Sequence, residues 1–590
     1  MNTALPSRPA PLTAADSPAA SERLSQQLAS SARAQIAGVT GGLATDDYLR
    51  AWWDWFANFS AHPNQQWMLL QEGLERAADT WQFALRAAGG QPLAHEHRHS
   101  RFSDDAWQQW PYNLLVRGYG NLEQWSEQLL GCAPGVSVAS AERLEFMRRQ
   151  ALDLASPAHY LPSNPELLAQ THTESGANLL RGWQHWLEDT RRMLARAAPA
   201  GTDSFRVGEQ VAVTPGKVVM RNELVELIQY SPHGDSVHAE PILITPAWIM
   251  KYYVLDLSPR NSLVKYLVEQ GHTVFMISWR NPEAQDRHLG MEDYLRLGLR
   301  AALDAVNAIV PNQRVHTVGY CIGGTLLSIG AATLAGEGDQ RLASITLLAA
   351  QTDFSEPGEL SVFISPSQLA TLDALMQRDG VLGSERMGAA FAMLRASDLI
   401  WAPAINTYLR GERATPNDLM AWNADGTRMP CRMHSEYLRR LYLHNELAAG
   451  HFSVDGQRID LRHITAPMFV VGTETDHVAP WTSVFKTRAL TRSEDYTFVL
   501  TSGGHNAGIV SGPVHPKRRH RQYQWSDATS TMDSAQYLEA AELRAGSWWP
   551  TWQQWLMRQS AAEQQAPPSM GNSAAGLAPL GDAPGGYVRG

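Results

Sequence analysis

The chain is poor in cysteine, with three in 590 residues: Cys132, Cys321 and Cys431. So sparse and odd a count gives no disulfide framework and points to a reducing cytoplasm. No apolar run approaches the roughly 20 residues that cross a bilayer. The opening MNTALPSRPAPLTAADSPAA has no apolar stretch of the kind a secretory signal needs. Charged residues are only 18% of the chain and the formal net charge is -10. A general nucleic-acid binder is usually basic, so no nucleic-acid partner is expected. What is plentiful is tryptophan, with 20 indoles, within a hydrophobic fraction of 44% that suffices for a large core. The length implies two or three units.

Residues 1–45 are rich in Ala, Ser and Pro without apolar period, and read as a disordered arm. Residues 46–204 read as a helical N-terminal domain. DDYLRAWWDWFANF and ANLLRGWQHWLEDTRRMLARA repeat apolar residues at three- and four-residue spacing. Trp52, Trp53, Trp55, Trp67 and Trp81 are expected to put several indoles on one helical face. From residue 205 the texture changes. VAVTPGKVVMRNELVELIQYSP reads as a hairpin turning at Pro215-Gly216. Short apolar runs then recur at 241–245, 273–279, 315–318, 345–350, 468–471 and 496–500, with helical patterns such as 262–270 and 291–310 between them. Such alternation implies an α/β domain, 205–561, built on a parallel sheet covered on both faces. Residues 353–460 carry no clear strand run and read as a helical insertion. Residues 562–590, rich in Ala, Pro and Gly, read as a flexible tail.

The chemistry centres on VHTVGYCIGGTLLSIG, residues 315–330. An apolar strand meets Gly319-Tyr320-Cys321-Ile322-Gly323, and a helix begins there. A Gly-x-nucleophile-x-Gly turn in an α/β sheet is a nucleophile elbow. The glycines let strand and helix approach, and the helix N-terminus favours a thiolate and a developing oxyanion at the apex. A cysteine in a glycine-rich turn also fits plain packing. Two residues downstream favour chemistry by their order: Asp476 comes just after one late strand and His505 just after the next, the chain order of a nucleophile–acid–base triad. His477, beside Asp476, is a rival base without a strand of its own. The cluster HPKRRHRQY, His515 to Tyr523, could attract phosphates or form a solvated face. The four indoles of SWWPTWQQW, Ser547 to Trp555, are expected to pack on the sheet or to meet an apolar surface.

From about residue 101 onward the chain resembles the polyhydroxyalkanoate synthases, bacterial polyester polymerases of the class I type with an α/β-hydrolase fold. The motifs are RFSDDAW, SPAHYLPSNPE, KYYVLDLSPRNSLVKYLVEQGHTVFMISWRNP, GYCIGG, DHVAPW, SGGH and GSWWPTWQQWL. The resemblance implies an acyltransferase in which cysteine replaces the usual serine nucleophile, with Cys321, Asp476 and His505 as the triad. It implies that the 353–460 insertion serves as lid and dimer contact. Oxyanion support is expected from the Ile322 N–H and from an N–H near Ala247 or Trp248. The substrate would be an (R)-3-hydroxyacyl-CoA, whose CoA is released as product, with no cofactor and no metal. The expected setting is the cytoplasmic surface of a polyester granule, with a homodimer and no transmembrane segment. Two alternatives stand beside the polymerase: a cysteine-dependent hydrolase or depolymerase, and a non-catalytic granule-binding paralogue. The sequence departs from the family at residues 246–252, Pro-Ala-Trp-Ile-Met-Lys-Tyr, where Trp248 is expected to reshape the pocket, and at Asn506, where an apolar residue is usual.

Overall fold

The computed structural model describes residues 42–89, 100–515 and 517–590, so most of the expected N-terminal arm lies outside the described residues. Among the described residues, six α-helices form the N-terminal domain: α1 (Thr45–Ser60), α2 (Pro63–Ala88), α3 (Tyr112–Gly131), α4 (Val138–Ala155), α5 (Pro165–Thr173) and α6 (Ala177–Leu194). The α/β domain is built on one eleven-stranded sheet. In chain order its strands are β1 (Gly216–Arg221), β2 (Val225–Tyr230), β3 (Ile242–Thr245), β4 (Val274–Trp279), β5 (Val315–Tyr320), β6 (Leu342–Leu348), β7 (Met468–Thr473), β8 (Tyr496–Thr501), β9 (Arg519–Trp525), β10 (Glu542–Ala545) and β11 (Gly581–Asp582). Across the sheet they run β10-β9-β8-β7-β6-β5-β3-β4-β2-β1-β11. The run from β4 through β3, β5, β6 and β7 to β8 is parallel, and the flanking pairs are antiparallel. Every residue of β3, β4, β5, β7 and β8 is buried. Both faces are therefore covered, which is why these strands read as continuous apolar runs and not as alternation.

Several expectations change. The hairpin of β1 and β2 turns at residues 222–224, where the Asn222 side chain accepts from the N–H groups of Leu224 and Val225. Pro215-Gly216 instead lies where β1 begins. The tail 562–590 is ordered. Gln564–Gln565 pairs with Val237–His238, and β11 closes the edge of the main sheet against β1. Buried Glu226 accepts from the N–H groups of Gly586 and Tyr587, and buried Lys251 donates to the Val588 carbonyl. The insertion is mainly helical, with two minimal strand pairs, Val381–Leu382 with Met429–Pro430 and Ser453–Val454 with Gln457–Arg458. Of the five indoles expected on one face, Trp52, Trp53, Trp67 and Trp81 are exposed, whereas Trp55 is buried and stacks on Phe59.

The insertion is gripped by the N-terminal domain on two sides. From α4, Arg149 pairs with Glu359, Gln150 donates to the Met393 carbonyl, and Arg143 donates to the Ile364 carbonyl. From α6, Asn178 donates to the Leu409 carbonyl, and Asp189 receives Tyr408 and Arg413. A Cβ at Gly182 would lie 1.9 Å from the Tyr408 carbonyl oxygen, so α6 and the insertion touch backbone to backbone.

At the amino edge of the sheet sit two buried neutral histidines. His272 bonds Gln553 at 2.9 Å, and His316 bonds Ser344 and Ser560 at 2.7 and 3.0 Å. Burial, with repulsion from neighbouring His238, pushes His272 down to about 4. Burial, with His272, Arg314 and His238 nearby, pushes His316 down to about 3. An unfolded histidine titrates near 6.5, so below that pH the unfolded chain takes up protons that the folded one refuses. Stability is therefore complete above about 6.5 and falls as pH drops toward 4, by roughly 2 kcal/mol per histidine at pH 5. The His272→Gln/His316→Gln variant should lose less of its melting temperature between pH 7 and pH 5 than the parent. Equal losses in a pair of thermal melts would contradict this account.

Candidate active site

The carboxyl edge of the parallel strands gathers the chemistry. Cys321 follows β5 with φ +54° and ψ -129°, a left-handed conformation that a non-glycine residue holds only under strain. Its N–H donates to the Leu348 carbonyl at the end of β6 at 2.9 Å, and its carbonyl receives the N–H groups of Gly324 and Thr325 as the helix Ile322–Gly336 begins. Three glycines allow the turn. A Cβ at Gly319 would lie 2.4 Å from Gly324 Cα; at Gly323, 2.3 Å from the Thr245 carbonyl oxygen; at Gly324, 2.4 Å from Ala350 Cβ. The elbow is therefore wedged between β3, β5 and β6, and no larger residue fits at those positions.

Asp476 and His505 follow β7 and β8. The Asp476 side chain is fully buried. It accepts from the Thr473 hydroxyl at 2.8 Å, from the N–H groups of Val478 and Ala479 at 2.9 and 2.8 Å, and pairs with His505 Nδ1 at 2.8 Å. Burial pushes its carboxyl up, but attraction to His505 and these hydrogen bonds outweigh it and hold the group below the usual carboxylate range. Burial pushes His505 down, and the charges of Asp476 and Cys321, with hydrogen bonds to both, hold it well above the ordinary histidine value. With Nδ1 committed to Asp476, Nε2 is the nitrogen left for the thiol. The three residues expected from the sequence thus come together: His505 is hydrogen-bonded to Asp476, and Cys321 is close enough for its charge to raise the imidazole.

Other expectations resolve differently. The Nε2 of His477 is engaged by Arg395 of the insertion, so that ring is turned to a different partner. Arg518, in the basic cluster, braces the histidine loop: it donates to the carbonyls of Ser502 and Ala507 at 3.1 and 2.6 Å. From Arg519 onward the cluster is the strand β9, and His520 is buried. The Trp248 indole does not line the catalytic cavity. It packs against Trp279 and Tyr294 with ring centroids 5.3 and 4.6 Å away, and Nε1 donates to Met433 Sδ at 3.3 Å. Ile249, the next residue, lines the cavity instead. The loop after β3 is pinned on both sides: Trp279 Nε1 donates to the Pro246 carbonyl at 2.9 Å, and the Thr427 N–H of the insertion donates to the Ile249 carbonyl at 3.2 Å. As the first helical residue, Ile322 has no carbonyl one turn earlier to occupy its N–H.

Some functional neighbours gave no clear sign in the sequence. The Tyr320 hydroxyl donates to the Asn506 side chain, so the residue before the nucleophile is tied to the residue after the histidine. This explains a polar side chain at 506, the departure already visible in SGGHNAG. The four indoles of Ser547–Trp555 are all buried, as the packing alternative expects, and two of them hold the histidine loop. Trp548 and Trp549 donate to the carbonyls of Gly508 and Ile509 at 3.1 and 3.0 Å. From the insertion, Tyr437 and Tyr442 line the cavity; burial and the charge of Cys321 raise both, so they stay neutral phenols. The cavity over Cys321 is walled mostly by apolar insertion residues such as Phe363, Ile364, Leu372 and Phe391. Among the described residues no cluster of three or more His, Cys, Asp or Glu side chains is arranged to hold a metal ion.

Comparison with known proteins agrees with this geometry. Residues 98–267 match the family model described as "Poly-beta-hydroxybutyrate polymerase (PhaC) N-terminus", and residues 240–511 match the "alpha/beta hydrolase fold". The first of these crosses the boundary placed at 204/205. The chain is 36% identical over 581 residues to the poly(3-hydroxyalkanoate) polymerase subunit PhaC of Rhizobium meliloti (strain 1021), covering 96% of this chain and 94% of that one. It is 40% identical over 492 residues to the poly(3-hydroxyalkanoate) polymerase of Methylorubrum extorquens, covering 83% and 80%. The subunit PhaC of Cupriavidus necator is 36% identical over 497 residues, covering 83% and 82%. An α/β-hydrolase sheet with a cysteine at its elbow, an Asp–His pair behind it and relatives along nearly the whole length leave one assignment: the chain belongs to the poly(3-hydroxyalkanoate) polymerase family.

Proposed function

We propose that the protein polymerises (R)-3-hydroxyacyl-CoA into polyester through a thioester on Cys321. The observation that carries the reading is Cys321 on the wall of a mostly apolar cavity, beside a His505 that is hydrogen-bonded to buried Asp476 and raised by the charges of both. In the first half-reaction His505 takes the thiol proton, and Sγ attacks the thioester carbonyl. The new Sγ–C bond replaces the bond to CoA sulfur, and CoA leaves with the proton. In the second, His505 takes the proton from the 3-hydroxyl of an acyl unit, that oxygen attacks a chain-bearing thioester, and Sγ departs. Asp476 keeps the imidazole oriented and stabilises its protonated form. The negative oxygen of each intermediate is met by the Ile322 N–H, with an N–H of the Ala247–Trp248 stretch as second donor. A thioester formed here is shielded from water by the insertion and the helices that grip it. The hydrolase alternative has no observation of its own in its favour, and an intact triad argues against a purely adhesive role.

Granule attachment and a homodimer complete the proposal. Trp53, Trp67 and Trp81 on α1 and α2 leave indoles exposed for an apolar polymer surface, and Leu399 and Ile400 are exposed on the insertion. Among the described residues no helix is long and apolar enough to cross a membrane.

Incubation of the purified protein with 3-hydroxybutyryl-CoA should give CoA and polymer together; free hydroxy acid without polymer would replace the polymerase with the hydrolase. Cys321→Ala should abolish CoA release with an unchanged melting temperature, because alanine meets the same backbone strain and leaves the wedge of glycines intact. Release at near the parent rate would refute the nucleophile assignment. Cys321→Ser should fold but acylate far more slowly, since His505 must then deprotonate a much weaker acid.

His505→Ala should prevent acylation altogether. Asp476→Asn removes the charge that raises His505 and should slow elongation by about 10²–10⁴-fold, with a smaller effect on the first acylation. Single-turnover labelling of the cysteine in the two variants separates the steps, and equal loss of labelling would contradict this division.

A further inference from the structure

The N-terminal segment that the sequence marks as part of a structureless arm reaches the catalytic cavity. Gly42 and Leu43 line it together with Cys321 and Ile322. The segment is held by a clasp on the insertion helix Pro366–Asp379. Gln368 Nε2 donates to the Gly42 carbonyl at 2.6 Å, and Gln368 Oε1 accepts from the Ala44 N–H at 2.8 Å. Both Gln368 and Ala44 are buried. One side-chain amide therefore pairs with the backbone on each side of residue 43, as a neighbouring strand would. The Ser367 hydroxyl donates to Asp46 at 2.6 and 2.7 Å, and the Ser365 hydroxyl to Asp47. Ser365 also caps that helix by accepting from the Gln368 N–H at 2.8 Å, which fixes the base of the clasp. One residue further on, Tyr48 packs on the cluster of Phe146, Val362 and Leu394, as do Phe363 and Phe391, two insertion side chains that wall the same cavity.

A chain segment pinned only for stability would need the apolar packing of Tyr48 and nothing inside the cavity. Here a buried amide is spent on the peptide groups flanking one leucine, and unpairing either would leave a buried polar group unsatisfied. We infer that Leu43, presented by the Gln368 clasp, is a specificity-determining wall of the acyl cavity that limits the length of the acyl group reaching Cys321. Gln368 is the positioning residue that acts through it. The inference rests on the reading of this cavity as the acyl site, and it places part of the monomer choice in the N-terminal segment, outside the α/β domain.

The test uses the full-length protein and two readouts. In the first, Cys321 is alkylated with N-methylmaleimide and N-hexylmaleimide, and the rates are followed by mass spectrometry of its peptide, with Cys132 as internal control. Leu43→Ala should raise the hexyl-to-methyl rate ratio at Cys321 by about tenfold, the discrimination expected of removing apolar bulk from a pocket wall. Leu43→Phe should lower it, and Gln368→Leu, which keeps Leu43 but loses both hydrogen bonds, should raise it as Leu43→Ala does. The ratio at Cys132 should not move. In the second, kcat/KM for 3-hydroxyhexanoyl-CoA relative to 3-hydroxybutyryl-CoA should shift in the same directions. Ratios at Cys321 within twofold of the parent in both folded Leu43 variants would overturn the inference. A parent enzyme that releases CoA from neither thioester would instead refute the polymerase reading, while the maleimide ratio still decides the role of Leu43.

Discussion

The structure depends on a contact between backbones with no side chain between them. Where β5 turns into its helix, Gly319 meets Gly324, Gly323 meets the end of β3, and Gly324 meets Ala350. That close approach forces Cys321 into its left-handed conformation and holds the thiol out at the carboxyl edge of the sheet. Dispersion and hydrogen bonding across the buried parallel strands offset the strain, which such sites commonly hold at about 1–3 kcal/mol. Everything catalytic is then a matter of registry. β7 and β8 pair in parallel, residue for residue, from Met468↔Tyr496 to Thr473↔Thr501, so the loops that follow them leave the sheet side by side and bring Asp476 to His505.

The second constraint is that the insertion does not stand alone as a lid. Helices α1, α4 and α6 hold it through ion pairs, hydrogen bonds and a backbone contact at Gly182, and it in turn supplies the phenols and apolar side chains over Cys321. A thioester intermediate has to be kept from water while a hydroxyl reaches it. An enclosure assembled from two domains serves that end, and it makes the helical region part of the active site's architecture without its contributing a reacting group. The sheet carries the chemistry, the insertion encloses it, and the N-terminal helices set where the enclosure sits.

Much of this was legible in the sequence because burial on both faces writes strands as continuous apolar runs. The six central strands, the elbow and the Asp476–His505 order all follow from that texture. Less legible was whatever rests on backbone pairing or on polar side chains used singly. The tail 562–590 has the composition of a loose segment, yet it is held by edge pairing at Gly581–Asp582 and by Glu226 and Lys251, none of which leaves an apolar period. The outer strands β9 and β10 are polar and charged, so they lack the run that marks the central ones. The turn of the first hairpin is set by the Asn222 side chain, and Pro215-Gly216, the stronger local signal, lies outside it. At the site, Trp248 reads as a pocket residue but packs in a cluster with Trp279 and Tyr294, where its indole N–H also finds Met433 Sδ. Leu43 is invisible in advance, because its place is fixed by a glutamine 325 positions away in sequence.

The central claim is that acyl groups pass through Cys321. The most direct measurement is rapid acid quench of the full-length protein mixed with isotopically labelled 3-hydroxybutyryl-CoA, followed by peptide mapping with and without hydroxylamine. The account predicts hydroxylamine-labile label on the peptide that carries Cys321, appearing no later than the first CoA released. Label confined to Cys132 or Cys431, or CoA release in the absence of any thioester-bound label, would contradict it.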